Sequence, residues 1–238
     1  MIRRSRAATS TAQQLAAAAA LLAGVLALLV VTVGVGALRV LVAVGAALVA
    51  GALVVRAARR AGATTLGPAG AVTLARGVVV MGAVTLVGRA DAAAVLVGMA
   101  VVALALDAVD GPVARRTATA SPLGARLDVE FDAFLLVVLS VHVVLTGGDP
   151  WVLAVGLLRY AFVAAGRVLP WLCGELPVRR SAKVVAALQG VVLIVAAADV
   201  LPPVVERVAI AVALAALVWS FGVSVVWLWR GAHVRPVR

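Results

Sequence analysis

Long apolar runs, broken by short polar stretches, make up most of the chain. Eight apolar segments can be drawn, at about residues 15–38, 39–56, 72–88, 92–110, 129–146, 151–170, 183–199 and 208–229. Most of them are close to the roughly 20 residues that a helix needs to cross a bilayer. They do not show the polar and apolar alternation of membrane strands. The pattern predicts an all-α, polytopic membrane protein with about eight transmembrane helices.

The polar breaks predict how these segments are grouped. The first run, from Leu15 to Leu38, is longer than the apolar region of a signal peptide, so we expect an uncleaved first helix. An arginine-rich stretch between Arg56 and Val72 is typical of a linker. We therefore expect an N-terminal hairpin and linker at residues 1–64, a six-helix domain at 65–230 and a basic tail at 231–238.

Charge gives the predicted helices an orientation. The net charge is +11, but the basic residues lie between apolar runs and not on a soluble basic surface, so no nucleic-acid partner is expected. With both termini in the cytoplasm, only Arg39, Arg89 and Arg207 face outward and Arg159 lies within a helix, out of 21 basic residues. The positive-inside rule thus predicts an N-in, C-in orientation, and the expected location is the cell (plasma) membrane.

Charged residues cluster in one stretch, "DAVDGPVARRTATASPLGARLDVEFD", at positions 107–132. Asp107 and Asp110 are three residues apart, and Asp128 and Asp132 are four residues apart, so each pair occupies one face of a helix. The two pairs belong to consecutive apolar segments. The spacing predicts two helical stripes of carboxylates.

Turn signals separate the two stripes. Gly111-Pro112 is expected to kink or end the first helix. Ser121-Pro122 predicts an N-cap followed by the first residue of the second helix. Glu130 lies about 200° from Asp128 around that helix, so it is expected to face away from the stripe.

Four neighbouring aspartates in a membrane protein repel one another, so either some of them are protonated or they bind compensating positive charge. A carboxylate near the centre of a bilayer costs about 2.5 to 3.5 kcal/mol. Two divalent cations such as Mg²⁺ or Mn²⁺ would suit an all-carboxylate site, and paired metals are frequent in phosphoryl transfer. Salt bridges to Arg115, Arg116 and Arg126 are the alternative.

The motif resembles the signature of the CDP-alcohol phosphatidyltransferases. It reads Asp107-x-x-Asp110-Gly111-x-x-Ala114-Arg115, eight further residues, then Gly124-x-x-x-Asp128-x-x-x-Asp132. Every specified position and gap of that signature is filled. The resemblance implies a six-helix core that carries the motif on its second and third helices, over about residues 65–230.

The resemblance also implies a reaction and a set of roles. The enzyme would transfer a phosphatidyl group from a CDP-linked lipid, such as CDP-diacylglycerol, to the hydroxyl of a second alcohol and release CMP, with its active site facing the cytoplasm. The aspartates would bind two divalent metals, with Asp128 and Asp132 as catalytic residues and Asp132 as the general base. The residues implied in nucleotide binding are Gly111, Ala114, Arg115, Ser121 and Gly124.

A phosphorylated polyol is the expected acceptor. Basic residues that could hold its phosphate are Arg159, Arg167, Arg179, Arg180 and Lys183. Their segments resemble phosphatidylglycerophosphate synthases, but Ala133, Tyr160, Val185 and Ala186 depart from that pattern. Glycerol 3-phosphate, an inositol phosphate and another phosphorylated polyol therefore all stay open.

The remaining expectations concern partners and alternatives. Members of the family are often dimers, so a homodimer surrounded by membrane lipids is one expectation from the resemblance. A catalytically idle homologue and a small divalent-cation transporter are the alternative functions. A transporter would have no need for Gly111, Ala114, Arg115 and Gly124 at fixed spacing.

Overall fold

The computed structural model describes residues 10–117, 121–174, 176–177 and 179–233. Within these residues the secondary structure is helical, without strands. Short 3₁₀ turns at Ala90–Ala92, Pro150–Val152 and Pro170–Cys173 flank the longer helices. The eight α-helices are α1 (Thr11–Val33), α2 (Ala37–Arg60), α3 (Gly67–Val84), α4 (Ala93–Thr117), α5 (Pro122–Leu145), α6 (Leu153–Val168), α7 (Arg180–Ala197) and α8 (Pro203–His233).

Six helices in the described part of the chain are long and apolar enough to cross a membrane. They are α1, α2, α3, α4 with its preceding 3₁₀ turn, α6 with its preceding 3₁₀ turn, and α8. Helix α7 is a shorter apolar helix, and α5 carries three acidic residues in its first half. The predicted class, a polytopic all-α membrane protein, is confirmed.

Two predicted helix boundaries differ from the structure. The first turn lies between Val33 and Ala37, because Gly34 ends α1 in the left-handed conformation with φ of 68°. Helix α4 does not end at Gly111-Pro112 but continues to Thr117. Proline inside a membrane helix is tolerated where neighbouring groups satisfy the carbonyl that it leaves without a partner.

The chain forms two compact units that divide between Phe134 and Leu135, within α5. In the first unit α3 is the central helix, since α1, α2 and α4 all pack against it. The burial of these helices agrees: 56% of the α3 span is buried, against 22% or less in the other three. Residues on α3 are therefore surrounded by protein on most sides.

Glycines let neighbouring helices come close to α3. A Cβ atom on Gly77 would lie 2.6 Å from the ring of Phe131 on α5. A Cβ atom on Gly82 would lie 2.6 Å from Met99 of α4 and 2.9 Å from Val25 of α1. Small residues commonly allow such close packing between membrane helices.

The N-terminal hairpin, α1 and α2, is bound to both ends of α3. At one end the Gln14 amide accepts a hydrogen bond from Leu66 N–H at 3.0 Å and donates one to the Gly67 carbonyl at 3.1 Å. At the other end Arg39 donates hydrogen bonds to the carbonyls of Thr85 and Val87, at 3.2 and 2.6 Å. The Leu66 N–H and the Thr85 carbonyl, at the two ends of α3, are backbone groups that have no partner inside the helix.

The middle of the hairpin borders an open apolar space. Helices α1, α2 and α3 border an apolar cavity of about 800 Å³, and Phe131 of α5 lines part of it. A space of this size removes dispersion contacts that a close-packed interior would make. Beside this space the hairpin still packs on α3, and the hydrogen bonds at the two ends add to this packing. One buried cluster of the hairpin and α3 contains Leu22, Leu26, Ala43, Val78 and Met81.

In the second unit α7 and α8 pack together, and α8 also contacts α6. The Gln189 amide of α7 donates a hydrogen bond to the Ala213 carbonyl of α8 at 2.9 Å. Gly156 of α6 lies so close to α5 that a Cβ atom there would be 2.7 Å from the Val137 Cα atom. An ion pair of 2.9 Å joins Asp149 to Arg207 at the start of α8.

Replacing Gln14 tests the attachment of the hairpin. Gln14→Leu removes both hydrogen bonds and leaves the Leu66 N–H and the Gly67 carbonyl without these partners. We expect a loss of about 2 kcal/mol, on the scale of an unsatisfied buried group, measured as a lower thermal unfolding temperature in nanodiscs. The matched control is Gln13→Leu, since the Gln13 amide makes only an exposed capping contact with Ser10. An equal decrease of the unfolding temperature in the two variants would contradict the conclusion that the Gln14 hydrogen bonds attach the hairpin to α3.

Candidate functional site

Three helices of the first unit bring charged side chains together. Asp107 belongs to α4, and Asp128 and Asp132 lie one turn apart on α5. One carboxylate oxygen from each of these three residues lies within 4.8 Å of the other two. The structure thus brings together one aspartate of the first stripe and both aspartates of the second.

The packing of α5 holds Asp128 and Asp132 in place. Leu127 and Phe131, each one residue before an aspartate, are buried. Leu127 belongs to a core cluster with Leu66 and Leu74, and Phe131 packs against Gly77. Because α5 is anchored on this face, the neighbouring face with the aspartates is fixed beside α3 and α4.

A buried arginine from α3 lies among the three carboxylates. Arg76 Nη1 donates to Asp107 Oδ1 at 2.5 Å, and Arg76 Nη2 donates to Asp128 Oδ1 at 2.5 Å. Nη2 also donates to the Asp128 backbone carbonyl at 2.8 Å, and Nη1 lies 3.6 Å from Asp132 Oδ1. One guanidinium group thus joins α3, α4 and α5.

Exposure differs sharply across this cluster. The Arg76 side chain is 1% exposed, whereas those of Asp107, Asp128 and Asp132 are 35%, 33% and 44% exposed. The positive charge therefore lies on the inner side of the cluster. The carboxylates form its accessible side, where a ligand can reach them.

The start of α5 has the capping geometry that the sequence predicts. The Ser121 hydroxyl accepts a hydrogen bond from the Gly124 N–H at 3.0 Å, and Pro122 is the first residue of the helix. A Cβ atom on Gly124 would lie 3.2 Å from this hydroxyl oxygen. Gly124 thus presents bare backbone one turn before Asp128, as a close approach to a nucleotide would need.

The cluster suits a hard divalent cation. Its donors are carboxylate oxygens, and no histidine or cysteine is grouped with them in the described part of the chain. Three aspartates and Arg76 carry a formal net charge of −2, which a divalent cation would balance. Mg²⁺ and Mn²⁺ favour such oxygen ligands.

Other predicted residues of the motif lie outside the described side chains. They are Asp110, Gly111, Ala114 and Arg115, whose backbone belongs to α4. Their roles stay predictions. Glu130 is exposed and is not a member of the carboxylate cluster, in agreement with its expected direction.

The arginine that pairs with the aspartates differs from those considered from sequence. Arg126 is exposed, and the side chains of Arg115 and Arg116 are outside the described part. From sequence alone, Arg76 is one basic residue among 21 and has no predicted role of its own. The available signal was its depth: it lies nine residues after Gly67, or about 14 Å along α3. A charged residue that far inside an apolar helix indicates a functional position.

The predicted acceptor residues belong to the second unit. Arg159 is half-buried on α6, and Arg167 and Lys183 are exposed. Arg179 donates hydrogen bonds from Nη2 to the Ser220 carbonyl at 3.0 Å and to the Ser224 hydroxyl at 3.3 Å. The Arg180 side chain is not among those described. Their predicted role in binding an acceptor phosphate stays a prediction.

Comparison with known families gives one match. The family model described as CDP-alcohol phosphatidyltransferase matches residues 66–219, well over half of the 238-residue chain. No match is found among curated proteins or solved structures. The matched range includes Arg76 and the three clustered aspartates and begins after the N-terminal hairpin.

Metal binding tests the carboxylate cluster directly. We expect Asp128→Asn to weaken Mn²⁺ binding by about tenfold or more, because it removes a charged oxygen from the cluster. Electron paramagnetic resonance of free Mn²⁺ measures this with purified protein in nanodiscs. Glu130→Gln is the matched control, since it removes one charge from the same helix outside the cluster. Equal weakening in both variants would mean that only overall charge matters.

Proposed function

We propose a specific reaction from one premise: the chain belongs to the CDP-alcohol phosphatidyltransferase family, whose members transfer substituted phosphate groups in phospholipid synthesis. The donor in our proposal is a CDP-linked lipid such as CDP-diacylglycerol. The acceptor is the hydroxyl group of a second, phosphorylated polyol. The products are a new phospholipid and CMP.

The observation that carries the proposal is the convergence of Asp107, Asp128 and Asp132 at motif positions of that family. Their oxygens lie within 4.8 Å of one another, although 25 residues separate the first aspartate from the last. Such a group of carboxylates is costly in a membrane protein unless it binds a cation. A diphosphate substrate that binds together with divalent metal ions supplies such cations.

The proposed chemistry divides between the aspartates. Asp107, Asp110 and Asp128 hold two divalent cations, and these would offset negative charge on the diphosphate and on the departing CMP. The acceptor oxygen forms a bond to the phosphorus of the phosphatidyl group as the bond from that phosphorus to the CMP oxygen breaks. Asp132 accepts the hydroxyl proton. It is the most exposed of the three clustered carboxylates, as access for an acceptor requires.

Backbone contacts complete the proposed nucleotide site. Gly111 and Gly124 would let the cytidine group approach two helices closely, with Ala114 and Arg115 beside it. Ser121 maintains the first turn of α5, where Gly124 lies. Small residues are required here because a side chain on either glycine would occupy space that the nucleotide needs.

We place the active site at the cytoplasmic face of the cell membrane. Ala58, near the end of α2, packs with Leu66 at the start of α3 and with Leu123 at the start of α5. Arg59 and Arg60, in the last turn of α2, are therefore near the helix ends that lead to the aspartates. Positive charge marks the cytoplasmic end of membrane helices.

Transferase activity tests the proposed reaction. Purified protein in nanodiscs should release CMP from CDP-diacylglycerol only with a divalent cation and a suitable polyol phosphate. We expect Asp128→Asn to lower the rate by about 100-fold or more, the scale of losing one electrostatic group in an active site. Glu130→Gln should retain activity. Absence of CMP release with every donor and acceptor, in protein that binds CDP, would favour an idle homologue.

The acceptor residues need a separate test. If Arg159 holds the acceptor phosphate, Arg159→Gln should raise the KM for the polyol phosphate by about tenfold, which corresponds to about 1.4 kcal/mol. The KM for the CDP-lipid should change little. Arg230→Gln, at an exposed arginine outside the predicted acceptor set, serves as the comparison, and glycerol 3-phosphate and inositol phosphate are compared as acceptors. Equal changes in both KM values would remove Arg159 from the acceptor site.

A further inference from the structure

We infer that Arg76 is a positioning residue for the metal site: it holds Asp107 and Asp128 from the buried side in the arrangement that metal binding needs. This inference rests on the proposed function, since it assigns a metal site to the same aspartates. Arg76 has no role in the sequence motif and lies on a different helix from every motif residue.

The geometry of the guanidinium group supports this role. Its two terminal nitrogens reach two different carboxylates, Asp107 and Asp128, and each takes one oxygen at 2.5 Å. A second bond from Nη2 to the Asp128 backbone carbonyl, at 2.8 Å, also fixes the main chain of α5. A planar group with diverging donors restrains distance and angle together, which a point charge such as an ammonium group does not.

The burial of the group indicates on which side it acts. Arg76 is 1% exposed, while the three carboxylates are about one-third exposed or more. A cation that competed with metals for the same place would be expected on the accessible side. Arg76 approaches from inside the helix bundle, so metal and arginine can bind the carboxylates from different sides.

Arg76 and the three aspartates each make the burial of the other's charge less costly. An arginine inside an apolar helix is unfavourable without a partner. Three carboxylates within 4.8 Å of one another repel unless a cation lies among them. Arg76 supplies one charge permanently, so the aspartates stay close together before any metal arrives, and little rearrangement accompanies metal binding.

Two other roles would give different results. If Arg76 only ties three helices together, its loss lowers thermal stability without changing metal affinity. If it occupies the place of a metal, its loss strengthens metal binding. A positioning role alone predicts weaker metal binding when the group is removed, because polar groups that orient metal ligands typically contribute about 10- to 100-fold in affinity.

The experiment measures Mn²⁺ binding to the full-length protein in nanodiscs, without nucleotide, by electron paramagnetic resonance. We expect Arg76→Gln to raise the Mn²⁺ dissociation constant by about 10- to 100-fold. The Mn²⁺ dissociation constant of Arg76→Lys should lie between those of the wild type and Arg76→Gln, because lysine keeps the positive charge but lacks the diverging N–H groups of the guanidinium. The matched control is Arg39→Gln, which removes an arginine bound only to the Thr85 and Val87 carbonyls in its described hydrogen bonds. The Arg39→Gln variant should have a lower unfolding temperature and an unchanged Mn²⁺ dissociation constant.

Unchanged or tighter Mn²⁺ binding in Arg76→Gln overturns the inference, and so does wild-type protein that binds no Mn²⁺. If Arg76→Gln does not fold, Arg76→Lys decides: a constant equal to that of the wild type overturns the inference, and a raised constant supports it. CMP release is assayed separately on the same samples. Absence of CMP release in every sample, the wild type included, would refute the proposed function. If the Mn²⁺ dissociation constant of Arg76→Gln is still raised in those samples, the positioning role stands.

Discussion

The first unit depends on one interaction, in which the Arg76 guanidinium group offsets part of the negative charge of three aspartates from two other helices. Its nitrogens reach carboxylates of two other helices, so α3, α4 and α5 share one electrostatic centre. Charges inside a membrane protein are tolerated only when they are paired or bind a ligand. The cluster therefore joins three helices, and it is also the part of the unit to which we assign the proposed chemistry.

Apolar packing fixes the position of α5, which the charged contacts alone do not. Leu127 and Phe131 anchor α5, and Gly77 allows the Phe131 ring to lie directly against the α3 backbone. A larger residue at Gly77 would have to displace the Phe131 ring or shift α5, which carries both aspartates. Distances of 2.5 Å between Arg76 and its partners leave little tolerance for such a shift.

The N-terminal hairpin, which lies outside the range matched by the family model, also holds α3 in place. It precedes the matched range, yet Gln14 and Arg39 bind the two ends of α3, which carries Arg76. Helix α3 is thus held by the hairpin on one side and by α4 and α5 on another. A segment without recognisable chemistry of its own contributes to holding the helix that centres the site.

Much of this protein follows from sequence alone, for reasons of local chemistry. Apolar runs of bilayer length determine the helical membrane class, because a backbone in lipid must satisfy its own hydrogen bonds. Helical spacing placed Asp128 and Asp132 on one face, and Ser121-Pro122 marked the start of α5 correctly. Only the tertiary structure paired Arg76 with the aspartates and carried α4 past Pro112 to Thr117. The partner of a buried charge and the fate of a helix at proline both depend on which neighbouring groups lie within reach, and helix packing decides this.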